Sequence, residues 1–228
     1  MKKFSFLLTI YILILLGGCG SKPVPDWKNV SFNHMKHFKR CFLGGEERKA
    51  DIYFGKAIEE IKKSGKLDIL AKAYLTKCAL RVAMLEKTEC GKFITIENVE
   101  PNRENKNYYT FLTGNLDNVD RQILPPRYRN FLTALNNGKI DRINAEISGI
   151  EDPQSRLIAI GISVGNNQYN ETTLKMALDV ASDNGWKKPL LIYLKNLKSF
   201  YEVNREIEKA KKVQQKIKLI KNNGKETE

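Results

Sequence analysis

The residues of this chain that could do chemistry by type and spacing include four cysteines and two histidines. Cys19 closes a short apolar run near the start, whereas Cys41, Cys78 and Cys90 lie in the body of the chain. A thiol can carry a lipid, bind a metal or form a disulfide, and each outcome needs a different setting. The elements around each cysteine therefore indicate which chemistry it supports.

Residues 1–18 have the layout of a secretory signal peptide. Two lysines precede an apolar stretch from residue 4 to residue 16, which is too short to span a bilayer, and small residues follow. The segment Leu16, Gly17, Gly18 and Cys19 resembles the lipobox of bacterial lipoproteins. That resemblance implies cleavage before Cys19 and acylation of its thiol, with palmitate as the expected fatty acid. Gly20, in place of an aspartate, favours the outer membrane, with the domain on its periplasmic face; the outer face of the plasma membrane is the alternative location. The alternative to a lipobox is an ordinary secretory signal.

The mature chain would consist of a short tether, residues 19–25, and one domain, residues 26–228. Its net charge falls from +13 to +11 when the two lysines of the signal peptide are removed. In an envelope compartment such charge indicates anionic lipid, glycan phosphate or an acidic protein as partner rather than nucleic acid. A merely solvated basic surface explains the same composition.

A repeat-like pattern follows the first predicted helix. Gly45, Ala50, Phe54 and Ala57 are separated by five, four and three residues. Over residues 30–84 the chain resembles a tetratricopeptide repeat, in which a glycine turns the chain between antiparallel helices and small alanines let those helices approach. The resemblance implies an all-α solenoid built from helical pairs.

The rest of the chain also favours helices. Apolar residues at helical spacing predict helices at residues 67–86, 126–135, 152–162 and 171–182, and one long basic helix at about 189–221. Residues 89–105 are the exception: they predict a long connection with a short extended piece at 93–96. From residue 152 onward, ASDNGW at 181–186 and PLL at 189–191 are similar to uncharacterised proteobacterial lipoproteins.

Candidate catalytic and metal-binding residues are few. His34, His37 and Cys41 would share one face of a continuous helix and could bind zinc or copper, but a core-facing Cys41 beside exposed histidines explains the same spacing. No serine-hydrolase elbow, phosphate loop, dinucleotide fingerprint or haem motif occurs in the sequence. No cofactor or metal is therefore predicted. The carboxylates that could converge as a hydrolytic pair are Glu59, Glu60, Asp68, Glu86 and Asp120.

The internal cysteines allow at most one disulfide. We predict Cys78 paired with Cys90 and Cys41 left as a buried thiol. If the helix at 67–86 runs to its predicted end, the remaining residues barely reach back. A Cys41–Cys78 bridge and three reduced thiols remain as alternatives.

These features predict an outer-membrane-anchored, non-enzymatic adaptor that binds another envelope protein. Phe32, Met35 and Lys39 on the first helix are the predicted partner contacts. One alternative is a cell-wall hydrolase or lyase that uses convergent carboxylates. Another is a binder of anionic lipid or glycan that uses Lys209, Lys212 and Lys216 of the basic C-terminal helix.

Overall fold

A computed structural model of the chain describes residues 24–86 and 90–221. The predicted signal peptide, the lipobox and the acylation site Cys19 lie outside these ranges. Within them the chain folds into eleven α-helices and one short 3-10 helix, Leu116–Asn118, with no strand. The predicted all-α class is confirmed.

The helices are numbered in chain order. They are α1 Asp26–Gly44, α2 Glu47–Lys62, α3 Leu67–Ala83, α4 Gly91–Val99, α5 Arg103–Leu112, α6 Pro126–Asn137, α7 Ile140–Ser148, α8 Pro153–Gly165, α9 Glu171–Asp183, α10 Lys187–Val203 and α11 Ile207–Lys221. No helix of the described part is both long enough and apolar enough to cross a bilayer.

Helices α1 and α2 form an antiparallel hairpin. Gly45 turns the chain in the left-handed conformation, with φ at 88°, which costs glycine little because it has no Cβ. Ala50 and Ala57 are almost completely buried, and the rings of Phe38 and Phe54 lie 4.9 Å apart between the two helices. Small and aromatic residues therefore alternate along this contact, in the places where the repeat-like pattern has them.

Helix α3 is the centre of the core. Gly161 of α8 meets it so closely that a Cβ built on this glycine would lie 2.3 Å from the carbonyl oxygen of Val82. The last turn of α3 is completed from far along the chain, because the buried Tyr193 hydroxyl donates to the Ala83 carbonyl at 2.9 Å. Helix α10 also packs on α1. These contacts join helices that are distant in sequence.

The predicted connection at residues 89–105 is wrong, since this segment forms α4 and the start of α5. Phe93 and Ile96, three residues apart, are both buried against the core, and this burial outweighs the strand preference of the local sequence. The Asn102 side chain caps α5 by accepting the N–H of Asn105 at 2.9 Å.

The predicted single helix at 189–221 is also wrong. The chain breaks after Val203, where Arg205 has a φ of 60° and the N–H of Glu206 donates to the Tyr201 carbonyl at 2.8 Å. Helix α11 then packs back on α10 and buries Ala210 and Ile217. A projecting helix would have left these two side chains in water, which explains why the break is favoured.

Candidate functional site

A groove runs between α1 and α3, and we call it the α1–α3 groove. Its volume is about 680 Å³. Trp27 and Leu43 mark its two ends on α1, and their 16-residue separation corresponds to about 24 Å of helix. The remaining apolar lining residues are Phe32 and Met35 of α1, Ile61 at the end of α2, Ile69 and Ala73 of α3, and Trp186 just before α10.

The groove follows from how the two helices are patterned. The residues of α1 that line it recur at three- and four-residue intervals, so they form one stripe, and residues 69, 72, 73 and 76 form a matching stripe on α3. The other side of α1, with Phe38, Cys41 and Phe42, is buried in the core. Helix α1 is therefore apolar on two sides, and only one of them is covered.

The groove is deep as well as long. Leu43 and Ile61 on its floor are 1% and 3% exposed, whereas Phe32 on its lip is 69% exposed. All three predicted partner contacts, Phe32, Met35 and Lys39, line this groove. The structure therefore brings them together in one place.

The charge of the groove has one sign. Five cations line it, and none of the described residues in its lining is an aspartate or glutamate. Only Lys72 has an ion-pair partner within 4 Å among the described residues, Asp68 at 3.9 Å. The other four cations are Lys28, Lys36, Lys39 and Arg40.

A second cavity, which we call the polar pocket, adjoins the groove. It has a volume of about 380 Å³ and shares Lys39, Lys72, Thr76 and Gln154 with the groove. Its other polar lining residues come from α5, from α6 and from the start of α8; they are Asn105, Tyr108, Arg127, Tyr128, Asp152 and Ser155. Helices that are distant in sequence therefore build this pocket.

Most polar groups of the pocket are already engaged. Arg127 donates to the Ser155 hydroxyl at 3.0 Å, and the Asp152 carboxylate accepts the Ser155 N–H at 2.7 Å as the cap of α8. Burial raises the pKa of Tyr128, and burial together with the neighbouring Tyr128 raises the pKa of Tyr108 well above its ordinary value. Both phenols are therefore neutral hydroxyls at physiological pH.

Asn105 differs from these groups. Its side chain is 5% exposed, and its Nδ2 has no hydrogen-bond partner among the described residues. A buried amide donor without an acceptor lowers the stability of the fold, so this one at a cavity wall needs an explanation.

His34, His37 and Cys41, the candidate metal ligands, do not converge on one point. Cys41 is buried in the core, and the His37 ring stacks on Tyr53 with centroids 5.0 Å apart, while His34 lies near the same ring. Residues 24–86 and 90–221 hold no group of three or more His, Cys, Asp or Glu side chains placed to bind a metal ion.

The candidate carboxylates are each ion-paired with a nearby cation. Glu59, Glu60, Asp68 and Asp120 pair with Lys62, Lys63, Lys72 and Arg103. Partial burial works to raise the pKa of Glu86, but hydrogen bonds and ion pairs with Lys188 and Arg81 outweigh it and lower that pKa. A general acid needs the opposite shift, so these contacts do not favour a hydrolytic pair.

The three lysines of the basic helix differ from one another. Lys209 is paired with Glu206, lies 3.6 Å from Glu171 and sits over the Tyr201 ring, so it ties α11 to α9 and α10. Burial and a hydrogen bond to Glu171 raise the pKa of Tyr201 to about 12. Lys212 and Lys216 are exposed and have no ion pair among the described residues.

The cysteines are arranged as follows. Cys78 and Cys90 form a disulfide with Cα atoms 5.9 Å apart, and Cys41 is a buried free thiol. Helix α3 ends at Ala83 rather than at residue 86, and Leu85 then adopts a φ of 57°. This early end lets the chain return to α3, which removes the difficulty of reach.

The polar pocket was not predicted from the sequence. Asp152 before Pro153 signals the cap of α8, but no local pattern indicates that Asn105 is buried or that Arg127 lines the same cavity as Lys39.

Comparison of the chain with protein-family models, curated proteins and solved structures finds no match.

Proposed function

We propose that this chain is a lipid-anchored, non-catalytic binding module of the outer membrane. It holds an acidic, amphipathic segment of another envelope protein in the α1–α3 groove. The observation that carries the proposal is an apolar groove about 24 Å long with five cations and no acid among the described residues of its lining.

The shape of the groove favours a helical segment as occupant. The lining residues extend over about 24 Å of α1 and about 10 Å of α3, a length that suits a helical segment of up to about 16 residues, since each residue adds about 1.5 Å. Such a helix would place apolar residues at three- and four-residue spacing against Met35 and Ile69, with its acidic side toward the lysines. In the tetratricopeptide-like plan, α1 and α3 are the first helices of successive pairs, which supports the same assignment.

A flat bilayer fits this surface less well. Phe32 on the lip could touch lipid, but Ile61 and Leu43 are too recessed for a planar surface to reach. The apolar floor therefore favours a narrow, protruding ligand. The role of the lipid anchor would be to hold the module at the membrane where its partner is assembled.

The anchor can be tested on its own. Cys19→Ala should abolish metabolic labelling of the chain by palmitate, because the expected acylation site is gone. Cys41→Ala serves as the control for loss of a thiol elsewhere, and its labelling should stay at the wild-type level. Labelling of Cys19→Ala at the wild-type level would contradict a lipid anchor at this residue.

The groove can be tested with a display library of random 16-residue peptides, selected on the full chain in dodecyl maltoside micelles. Enriched peptides should have apolar residues at three- and four-residue spacing and an excess of Asp and Glu. Their affinity, measured by fluorescence anisotropy, should fall as salt is raised, because salt screens exposed charges. Enrichment of basic peptides, or of none, would overturn the proposal.

Variants locate the binding surface. Phe32→Ser and Ile69→Ser should each lower the affinity for an enriched acidic peptide about tenfold, the effect of losing one apolar anchor. Val203→Ser is the matched control, since Val203 is 82% exposed on α10 and does not line the groove. If Lys212→Gln and Lys216→Gln removed peptide binding and Phe32→Ser did not, the site would be α11 and the groove assignment would be wrong.

A further inference from the structure

The polar pocket has a chemistry of its own. It is joined to the α1–α3 groove through Lys39, Lys72, Thr76 and Gln154, but most of its wall comes from other helices. Half of the residues that line the groove are apolar, whereas two thirds of those that line the pocket have polar or charged side chains. A ligand of a different kind therefore suits it.

Asn105 gives the clearest indication of that ligand. The side chain is 95% buried and lines the pocket, and its Nδ2 donates to no described group. Native proteins pair almost all such buried donors, and Nδ2 is closed to solvent in this structure, so a rotation of the side chain toward the cavity would let an acceptor atom from a ligand complete it. The ligand must then present an oxygen to Asn105.

The charges around the pocket indicate that this ligand is an anion. Lys39, Lys72 and Arg127 line it, against a single acid, Asp152. That acid already accepts the backbone N–H of Ser155 as the cap of α8. Neither Lys39 nor Arg127 has an ion-pair partner within 4 Å among the described residues. Two cations without an ion-pair partner, Lys39 and Arg127, match a dianion better than a single carboxylate, whereas Lys72 already lies 3.9 Å from Asp68.

We propose that the polar pocket binds a phosphoryl group, with Asn105 and Arg127 as its principal donors and Lys39 and Lys72 neutralising its charge. A phosphate monoester carries close to two negative charges at neutral pH and presents three acceptor oxygens, which is what these donors require. The planar Arg127 guanidinium can donate two hydrogen bonds to one phosphate. The proposal does not depend on what occupies the groove.

Two sources could supply the group: a soluble phosphate monoester or the headgroup of a lipid. Because Lys39 and Lys72 line both cavities, a bound phosphoryl group also removes positive charge from the groove. We therefore expect phosphate to lower the affinity of the groove for an acidic peptide, because both ligands use the same two lysines.

The test is calorimetric titration of the full chain in dodecyl maltoside. The probes are glycerol 3-phosphate and dihexanoyl phosphatidic acid, and sodium chloride at equal ionic strength is the blank. Saturable heat with glycerol 3-phosphate supports the proposal with a soluble source, and heat with the phosphatidic acid alone supports it with a lipid source. No saturable binding of either probe overturns it.

Variants separate a built site from diffuse charge. Asn105→Leu and Arg127→Gln should each weaken binding about tenfold, as expected for one hydrogen bond to a charged group. Arg127 is exposed, so its variant should fold normally even if Asn105→Leu does not, and circular dichroism checks both. Lys106→Gln, an exposed neighbour on α5 outside the pocket, should bind like wild type. Equal weakening by Lys106→Gln, or unchanged binding by Arg127→Gln, would overturn the proposal.

The pH dependence gives a further check. The pocket contains no histidine, and its titratable groups are Lys39, Lys72, Asp152, Tyr108 and Tyr128 beside Arg127. Binding should strengthen as pH rises through about 6, where a phosphate monoester loses its second proton. Binding that is equally strong at pH 5 and pH 7.5 would contradict recognition of the dianion.

Discussion

Helix α3 faces α8 and α1 in opposite ways. Toward α8 the backbones touch so closely that position 161 has no room for a Cβ, whereas toward α1 the helices stand apart and leave a groove of about 680 Å³. The chain can therefore pack a helix on α3 to contact distance. This contrast supports the proposal that the groove is a binding surface rather than a place where the core failed to fill.

A second contrast is between a lysine packed at the start of α10 and a lysine in the groove. Lys188, at the start of α10, is 12% exposed, with its ammonium 3.1 Å from Glu47, 3.0 Å from Glu86 and 3.9 Å from the centre of the Phe42 ring. Lys36 in the groove is exposed and has no acid partner among the described residues. Lys188, which stabilises the fold, is surrounded by carboxylates, whereas Lys36, which we propose faces a ligand, is not.

The largest effect is expected where α3 and α8 touch. Gly161→Ala should destabilise the fold by about 3 kcal/mol, because the new methyl would press on the Val82 carbonyl and the Ala83 backbone and neither can yield easily. The gain in helix propensity, about 1 kcal/mol, does not offset this cost. Urea unfolding measures the change, with Gly55→Ala, an open helical position, as the control. Equal stability of both variants would mean that the close contact is absent.

The disulfide fixes the same helix to the start of α4. Cys78→Ala should lower the free energy of unfolding by about 3 kcal/mol, the value for closing a loop of this length in the chain-entropy account. Reducing agent should destabilise the wild type and leave the variant unchanged. Mass mapping that shows Cys78 and Cys90 as free thiols in the oxidised protein would refute the pairing.

Lys188 and Lys36 form a matched pair for the second contrast. Lys188→Met should cost about 2 kcal/mol of stability, because it removes charge-assisted contacts from a nearly buried ammonium. Lys36→Met should change stability by less than about 0.5 kcal/mol, since Lys36 is exposed and unpaired. Thermal unfolding compares them, and similar shifts in both would remove the distinction between structural and ligand-facing cations.

The smallest effect concerns pH. The pKa of Glu86 is lowered from its ordinary 4.5 in the folded state, mainly by its hydrogen bonds to Lys188 and Arg81 against the effect of burial. Its contribution to stability is therefore complete above pH 4.5 and is lost as pH falls through the folded-state pKa. The difference in unfolding free energy between wild type and Glu86→Gln should shrink below pH 4.5. A difference that stays constant down to pH 3 would contradict this account.

The sequence predicts those parts of the fold whose determinants are local. The turn at Gly45, the core stripe of α3 and the cap of α8 at Asp152 all depend on residues within a few positions of each other. Helix α4 and the break before α11 depend on burial against distant helices, so local preferences predicted a connection and one long helix instead.

The candidate site divides in the same way. Phe32, Met35 and Lys39 share one face of α1, and their spacing predicts that they act together. The polar pocket could not be predicted, because Asn105 and Arg127 line one cavity with Lys39 only after distant helices have packed together. No periodicity in a single sequence encodes that encounter.

The hydrogen bond from Tyr193 to the end of α3 has a consequence for the order of folding. Helix α3 is synthesised long before residue 193. The Ala83 carbonyl and the surface that packs on Gly161 therefore gain their partners only when the last third of the chain is present. Folding of α3 is then completed only when early and late segments meet, and chain growth cannot produce stable units one helical pair at a time. A fragment that stops at residue 150 should therefore behave as a partly collapsed, protease-sensitive chain.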